Sequence, residues 1–187
     1  MSSKIIAVWE FFKNPTYEES VEKDPHERLR WFTELLLYAL TLSYLIGMVN
    51  AGLQNYFDID IGKHASEDLM NRSLLFLFAT AVIMAPVMEE VIFRGPLVFF
   101  KKKNYFNCIF YFLTFIFGFY HISNFELTTT TLLLSPLLVA PQLSVGIFLG
   151  FVRVKFGLLW AIIFHALYNF ILMTPLLFMN FLDLLLE

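Results

Sequence analysis

The sequence predicts an all-α, polytopic transmembrane helical bundle of about five spans, preceded by an amphipathic helix at the membrane interface. Of its 187 residues, 58% are hydrophobic and 18% are aromatic, and 23 are Phe. Soluble domains are usually about 45–50% apolar. Several apolar stretches also reach the ~20 residues that a helix needs to cross a bilayer. The composition therefore indicates an integral membrane protein, without room for a second, soluble domain.

Two parts are predicted along the chain: an interfacial and polar segment at residues 1–30 and a transmembrane domain at residues 31–187. In the first part, the spacing of Ile5, Trp9 and Phe12 suits one face of a helix lying on the membrane surface. Residues 14–30 are rich in charge and contain two prolines, which is typical of a solvated segment.

Five apolar stretches are candidates for membrane spans. The second is longer than a perpendicular span needs, which predicts a tilt or a bend near Pro86 or the Gly95-Pro96 pair. Pro175 is expected to bend the chain after the fifth. The predicted spans are residues 31–50, 72–100, 104–124, 131–152 and 156–174.

The fourth span is irregular. Pro136 and Pro141 interrupt it, and Gly146 and Gly150 form a GxxxG pattern further along. The pattern lets two membrane helices approach closely, but it is also common in such helices by chance. Both interpretations are open from the sequence.

Basic residues predict the orientation of the chain. Ten Lys and Arg residues lie before the first span or after the second and fourth, and two lie in the opposite loops. This bias predicts a cytoplasmic N-terminus, in a cell membrane of bacterial type. The net charge of −3 gives no reason to expect nucleic acid as a partner. The single cysteine, Cys108, lies in an apolar stretch and is expected to be a small buried hydrophobe.

Three charged residues lie inside the most apolar part of the chain, in the run AVIMAPVMEEVIFRGPLVFF. A charge at bilayer depth costs about 2.5–3.5 kcal/mol, so Glu89, Glu90 and Arg94 indicate a functional site. Glu90 and Arg94 are four residues apart and can pair on one helix face. Glu89 is rotated by about 100° from Glu90, which leaves its carboxylate uncommitted. The alternative is a structural ion-pair cluster between helices.

Further polar residues lie on two other predicted spans. His121 closes the third span, and His165 and Asn169 share one face of the fifth. Each alone is more typical of a structural hydrogen bond, but groups from three helices together are how a bundle builds a site. At ~1.5 Å per residue from the basic turns, Glu89 lies about 18 Å deep and His165 about 15 Å. His121 lies about 27 Å from Lys103 on the same count, so the third helix must tilt or begin after Asn104.

These residues form three ordered motifs on separate apolar stretches: EExxxR (Glu89, Glu90, Arg94), FxxxH (Phe117, His121) and HxxxN (His165, Asn169). Over about residues 75–173, the chain resembles the CAAX-protease and bacteriocin-processing family, also called the Abi family. Its members are glutamic-type intramembrane endopeptidases, and they include the type II CAAX prenyl endopeptidases.

The resemblance implies a role for each matching residue. Glu89 would activate a water molecule that His121 helps to position, and His165 and Asn169 would stabilise the oxyanion. Supporting roles fall to Glu90, Arg94 and Phe117. A desolvated carboxylate can take a proton from water, and fixed donors four residues apart can meet a developing negative charge, so the chemistry of the residues agrees.

The metal dependence has two possible answers. We favour a reaction without a cofactor. The alternative is a zinc ion bound by Glu89, His121 and His165, since catalytic zinc usually takes three protein ligands. The chain has no HExxH motif, no GxSG motif and no Asp within a central span.

Three function classes are compatible with the sequence. The leading one is an endopeptidase acting on a membrane protein or lipidated peptide within the bilayer. Glu and His chains also build proton relays, so a small proton-coupled transporter is an alternative, although no internal repeat is visible. A non-catalytic immunity or scaffold protein is a third.

Overall fold

A computed structural model describes residues 3–20, 24–65 and 73–186, and in these residues the chain is a helical bundle. Four helical stretches are long and apolar enough to cross a membrane. The predicted fold class, an all-α polytopic bundle, is thereby confirmed. The stretches are Pro25–Tyr56, Leu74–Phe100, Phe106–Asn124 and Leu158–Pro175.

The first helix, α1 (Ser3–Lys13), packs onto the bundle through one face. Val8 and Phe11 are buried, and the ring of Phe11 meets the ring of Phe110 edge to face at 5.0 Å. Lys4 Nζ forms an ion pair with Glu34 Oε1 at 2.8 Å. The exposed face carries Ile6 and Trp9 together with an ion pair between Lys13 and Glu10. The location of this helix at the membrane interface stays a prediction.

The second helix, α2 (Pro25–Tyr56), is longer at both ends than the predicted span of residues 31–50. Asp24 caps it, because its side chain accepts a hydrogen bond from the backbone N–H of His26 at 3.0 Å. Pro25 occupies the first turn, where its missing N–H costs nothing. The helix runs across residue 30, at which the sequence division was placed, and that division stays a prediction.

The second predicted span changes helix type where a bend was expected. It consists of α3 (Leu74–Leu77), a π-helix (Phe78–Met84), α4 (Ala85–Phe93) and a 3₁₀ helix (Gly95–Phe100). The change from π to α occurs just before Pro86, which has no N–H to donate. The change from α to 3₁₀ occurs at Arg94, just before Gly95-Pro96. Glu89 and Glu90 therefore lie on a short α-helix between two irregular segments.

The third span is α5 (Phe106–Tyr120), which continues as a 3₁₀ turn, His121–Asn124. Cys108, near its start, is exposed, so the expectation that it is buried is wrong. Beyond the turn, Phe125 forms an isolated antiparallel bridge with His64.

The predicted interruption of the fourth span, residues 131–152, at Pro136 and Pro141 is confirmed. The segment forms α6 (Thr129–Leu133), α7 (Ser135–Leu138) and α8 (Ala140–Phe156). Pro136 and Pro141 each lie in the first turn of a new helix, since proline cannot continue the preceding one.

The 17-residue helix α8 forms the centre of the bundle, with α1, α2, α5 and the last helix around it. Nearly all of its residues from Ser144 to Val154 are buried. A Cβ added at Gly150 would lie 2.3 Å from Cε2 of Phe110, and one added at Gly146 would lie 3.2 Å from Cδ1 of Phe117. The GxxxG pattern is therefore a packing face for α5.

The last helix, α9 (Leu158–Leu186), continues through Pro175, and the part of it that is long and apolar enough to cross a membrane, Leu158–Pro175, agrees with the predicted span of residues 156–174. The bend expected at Pro175 stays a prediction. Gly157 joins it to α8 with a φ of +100°, a conformation that side chains other than glycine rarely adopt. The tight turn places α9 directly beside α8, with His165 and Asn169 at the level of α4.

Candidate active site

The structure brings the polar residues of three predicted spans into one cluster. Glu89 Oε2 on α4 is 3.8 Å from Nε2 of His121, which follows α5, and 3.8 Å from Nε2 of His165 on α9. The tilt or late start required of the third span takes the form of a helix that begins at Phe106. All seven residues predicted for the site lie in or beside this cluster: Glu89, Glu90, Arg94, Phe117, His121, His165 and Asn169.

Glu90 and Arg94 form the buried base of the cluster. Their exposed fractions are 0% and 2%, and Arg94 Nη1 donates to Glu90 Oε1 at 3.1 Å. Arg94 Nη2 donates to the carbonyl oxygen of Gly146 at 3.4 Å, and the guanidinium lies 3.7 Å from the centre of the Phe117 ring. Two hydrogen bonds and a cation–π contact thus compensate the buried positive charge.

Both histidines are held by their Nδ1 atoms. His121 Nδ1 lies 2.8 Å from the carbonyl oxygen of Phe117, and His165 Nδ1 lies 2.9 Å from Glu90 Oε1. A carbonyl oxygen can only accept, so Nδ1 of His121 carries a hydrogen. The carboxylate of Glu90, already paired with Arg94, accepts from His165 in the same way. In its neutral form, each ring would therefore present an unprotonated Nε2 toward Glu89.

Glu89 differs from Glu90 in that it accepts no hydrogen bond from the described residues, whereas Glu90 accepts two through Oε1 and leaves only its buried Oε2 without a partner. The Oε2 of Glu89 is buried and has no hydrogen-bond partner among the described residues. Glu89 Oε2 is 3.8 Å from each of two imidazole nitrogens, and with both rings neutral all three atoms are hydrogen-bond acceptors without a donor between them. This spacing is longer than a direct hydrogen bond and suits a donor such as water between them.

The cluster opens into a cavity of about 940 Å³. Glu89, His121, His165 and Asn169 line it on one side, and α2 lines it on another through residues from Ser43 to Ala51. Asn169 Nδ2 donates to the carbonyl oxygen of Ala81 at 2.9 Å. An amide nitrogen carries two hydrogens, so the second remains for a ligand.

The arrangement does not match a zinc site. In the described part of the chain, no three His, Cys, Asp or Glu side chains are grouped so that they could hold a metal ion. The separations of 3.8 Å also exceed the ~3.3 Å between ligand atoms that zinc bonds of about 2.0–2.1 Å give in a tetrahedron.

Sequence reasoning missed one residue behind the site. By its position in the sequence, Arg153 is one of the basic residues that follow the fourth predicted span, but it is 7% exposed and lies within α8. Its Nε donates to the carbonyl oxygen of Arg94 at 3.0 Å, and its Nη1 donates to the hydroxyl of Tyr17 at 3.0 Å. The signal was present in the sequence, since Gly146, Gly150 and Arg153 are spaced i, i+4, i+7 on one helix face.

Comparison with known proteins gives one match. A family model described as type II CAAX prenyl endopeptidase Rce1-like matches residues 71–171, which is just over half of the chain and includes all three motifs. The comparisons with curated proteins and with solved structures found no match.

Proposed function

Since the chain belongs to the type II CAAX prenyl endopeptidase Rce1-like family, we propose that it is an intramembrane endopeptidase in which Glu89 activates water to attack a peptide bond. The members of this family are peptidases. The four long apolar helical stretches of this chain make it an integral membrane protein. The observation that carries the mechanism is the uncommitted Oε2 of Glu89, 3.8 Å from Nε2 of both His121 and His165.

A water molecule between these three acceptors would be bound in a reactive orientation. It would donate one hydrogen to Glu89 Oε2 and the other to Nε2 of His121, which leaves a lone pair for attack. The anchored Nδ1 of His121 fixes the direction of that hydrogen bond. Glu89 is thus the general base and His121 the residue that positions the water.

The proton of the water then passes to the leaving group. As the water oxygen bonds to the carbonyl carbon, Glu89 takes one proton, and it returns that proton to the amine nitrogen as the C–N bond breaks. With both imidazoles neutral, Glu89, Glu90 and Arg94 have a net charge of −1. A proton taken up by the cluster therefore neutralises it, which a site of low dielectric constant favours.

The carbonyl oxygen of the substrate becomes negatively charged as water attacks, and it then needs hydrogen-bond donors. The two candidate donors, Asn169 and His165, both lie on α9. Asn169 has one hydrogen left after its bond to Ala81. His165 already donates its Nδ1 hydrogen to Glu90, so it can donate from Nε2 only while it holds the proton that Glu89 took from the water, before that proton passes to the amine. The adjacent Glu90 carboxylate, fixed by Arg94, would stabilise that imidazolium. A single oxyanion donor contributes about 10²–10³ in kcat.

The substrate is a membrane protein or a lipidated peptide, which enters the cavity within the bilayer. We place the N-terminus in the cytoplasm, in a cell membrane of bacterial type, because Lys101, Lys102 and Lys103 lie on the same side as the basic N-terminal segment. No cofactor is required, and no nucleic acid takes part.

Co-expression with a library of tagged membrane proteins, followed by mass spectrometry, tests the proposal. A product formed by the wild type should disappear in Glu89→Gln and His165→Ala. Matched changes at exposed residues outside the cavity, Glu18→Gln and His26→Ala, should leave it unchanged. If Glu89→Gln yields the same product, Glu89 is not the base.

Two further outcomes would replace the proposal. Proton-coupled flux that Glu89→Gln abolishes, without any peptide product, would favour a transporter. A partner bound equally by wild type and Glu89→Gln, with no product, would favour a scaffold or immunity protein.

Metal dependence is tested separately. Protein from which metal ions have been removed with a chelator should keep its activity. Activity that falls with bound zinc and returns with added zinc would establish the alternative ligand set.

A further inference from the structure

Gln142 contributes an unsatisfied polar group to the cavity wall. Its side chain lines the cavity that contains Glu89 and His121. Its Oε1 is buried and accepts no hydrogen bond from the described part of the chain. A buried amide oxygen without a partner destabilises the folded protein. A ligand that donates a hydrogen bond to this oxygen would remove that cost and bind more tightly.

The backbone around Gln142 is fixed from two sides. The carbonyl oxygen of Pro141 accepts from Ser144 Oγ at 2.7 Å and from Ser43 Oγ, on α2, at 3.4 Å. Both serines are buried, and their hydroxyls lie 3.2 Å apart. The first turn of α8 is thus tied to α2 immediately before Gln142.

The next residue along the chain is held by α5. A Cβ added at Gly118 would lie 2.3 Å from Cδ2 of Leu143 and 3.5 Å from its Cα, so the two backbones pack in close contact. Gly118 lies three residues before His121. The position of Gln142 relative to the proposed catalytic residues is therefore set by α2 and α5 together, which is what a binding residue on a rigid element requires.

We propose that Gln142 is a substrate-binding residue that pairs with a main-chain peptide group of an extended substrate. A primary amide has both an acceptor and a donor, so it matches the N–H and C=O of a peptide in either orientation. Main-chain recognition tolerates many side chains. The inference rests on the proposed function, because it assumes that the cavity takes a peptide.

Peptide binding tests this without requiring cleavage. The probe is a short peptide of alternating Ala and Leu with a photoactivatable group, in phosphatidylcholine liposomes, and its counterpart N-methylated at alternate residues. In a Glu89→Gln background, N-methylation should weaken crosslinking about three- to tenfold. Adding Gln142→Met should weaken crosslinking of the unmethylated peptide to the same extent, and N-methylation should then cause no further loss of crosslinking. Adding Gln54→Met, the same change outside the cavity, should alter nothing.

Thermal unfolding supplies the second readout. Removing an unsatisfied oxygen should leave the Tm of Gln142→Met without peptide equal to that of the wild type or higher. A lower Tm would indicate a structural role and overturn the inference. Equal crosslinking of the unmethylated and the N-methylated peptide would also overturn the inference, as would the absence of crosslinking to every variant. A peptide that binds through Gln142 but is never cleaved by the wild type would remove the proposed function and leave this inference standing.

Discussion

Alanine at the two glycines of α8 should separate activity from stability. Gly146 and Gly150 lie one helical turn apart and face the same helix, α5. A Cβ at Gly146 would meet Phe117, Thr114 and the Nη2 of Arg94 at 3.2–3.3 Å, so it presses on the base of the site. A Cβ at Gly150 would meet the ring of Phe110 at 2.3 Å, away from the site.

The expected energies follow from these distances. At Gly150 the ring of Phe110, 1% exposed and packed edge to face against Phe11, must move by about 1 Å. Overpacking of this degree costs about 3 kcal/mol, and the better helix propensity of alanine returns about 1 kcal/mol, so Gly150→Ala should lose about 2 kcal/mol. At Gly146 a shift of a few tenths of an ångström costs about as much as the propensity returns, and the free energy of unfolding should hardly change.

The two variants should rank in the opposite order for catalysis, with Gly146→Ala losing more activity than Gly150→Ala. Gly146→Ala displaces Phe117 and Arg94, which hold His121 and Glu90, and misplacement by 1 Å can cost about 10² in rate. We expect at least a tenfold lower kcat per folded molecule for Gly146→Ala and little change for Gly150→Ala. The assays are thermal unfolding in liposomes and peptide cleavage normalised to folded protein. If Gly150→Ala loses more activity per folded molecule than Gly146→Ala, the link from α8 to the site is wrong.

Three other predictions concern the charges, the oxyanion and the orientation. Glu90→Gln and Arg94→Gln should each cost about 3–5 kcal/mol in chemical denaturation, because each leaves a buried charge unpaired, and the double variant should cost less than the sum. Asn169→Ala should lower kcat about 10²–10³-fold in steady-state kinetics with little change in KM; a change confined to KM would argue against an oxyanion role. In a Cys108→Ser background, Lys102→Cys should react with an impermeant maleimide only after cells are permeabilised; labelling of intact cells would reverse the proposed orientation.

The sequence predicted which polar side chains lie together better than it predicted the ends of the helices that carry them. Charges at bilayer depth are costly whatever the tertiary structure, so Glu89, Glu90 and Arg94 stand out in an apolar run before any packing is known. The ends of helices depend on local competition that apolar composition does not express. The apolar stretch at residues 31–50 predicted the first span, yet α2 runs from Pro25 to Tyr56, because Asp24 caps it within the charged segment before that stretch. The interruptions at Pro136 and Pro141, by contrast, were visible in the sequence, since proline cannot continue a helix.

The partners of the buried Arg153 are a second feature that local sequence patterns do not predict. By sequence it belongs with Lys155 in a basic turn, and the orientation rule counts it there. In the structure it reaches from α8 to the carbonyl of Arg94 and to Tyr17 in the N-terminal segment. Those partners are separated from it by 59 and 136 residues, and no local pattern contains such contacts.

Helix type, rather than tilt alone, accounts for the mismatch in depth between Glu89 and His121. The six residues Gly95–Phe100 form a 3₁₀ helix, which rises about 2.0 Å per residue and not 1.5 Å, so Glu89 lies about 21 Å from the basic turn and not 18 Å. The third span begins at Phe106, which brings His121 from about 27 Å to about 23 Å. The two side chains then lie at nearly the same depth. Gly95-Pro96, which ends α4 and begins the 3₁₀ segment, therefore sets the level at which the proposed base meets the histidines.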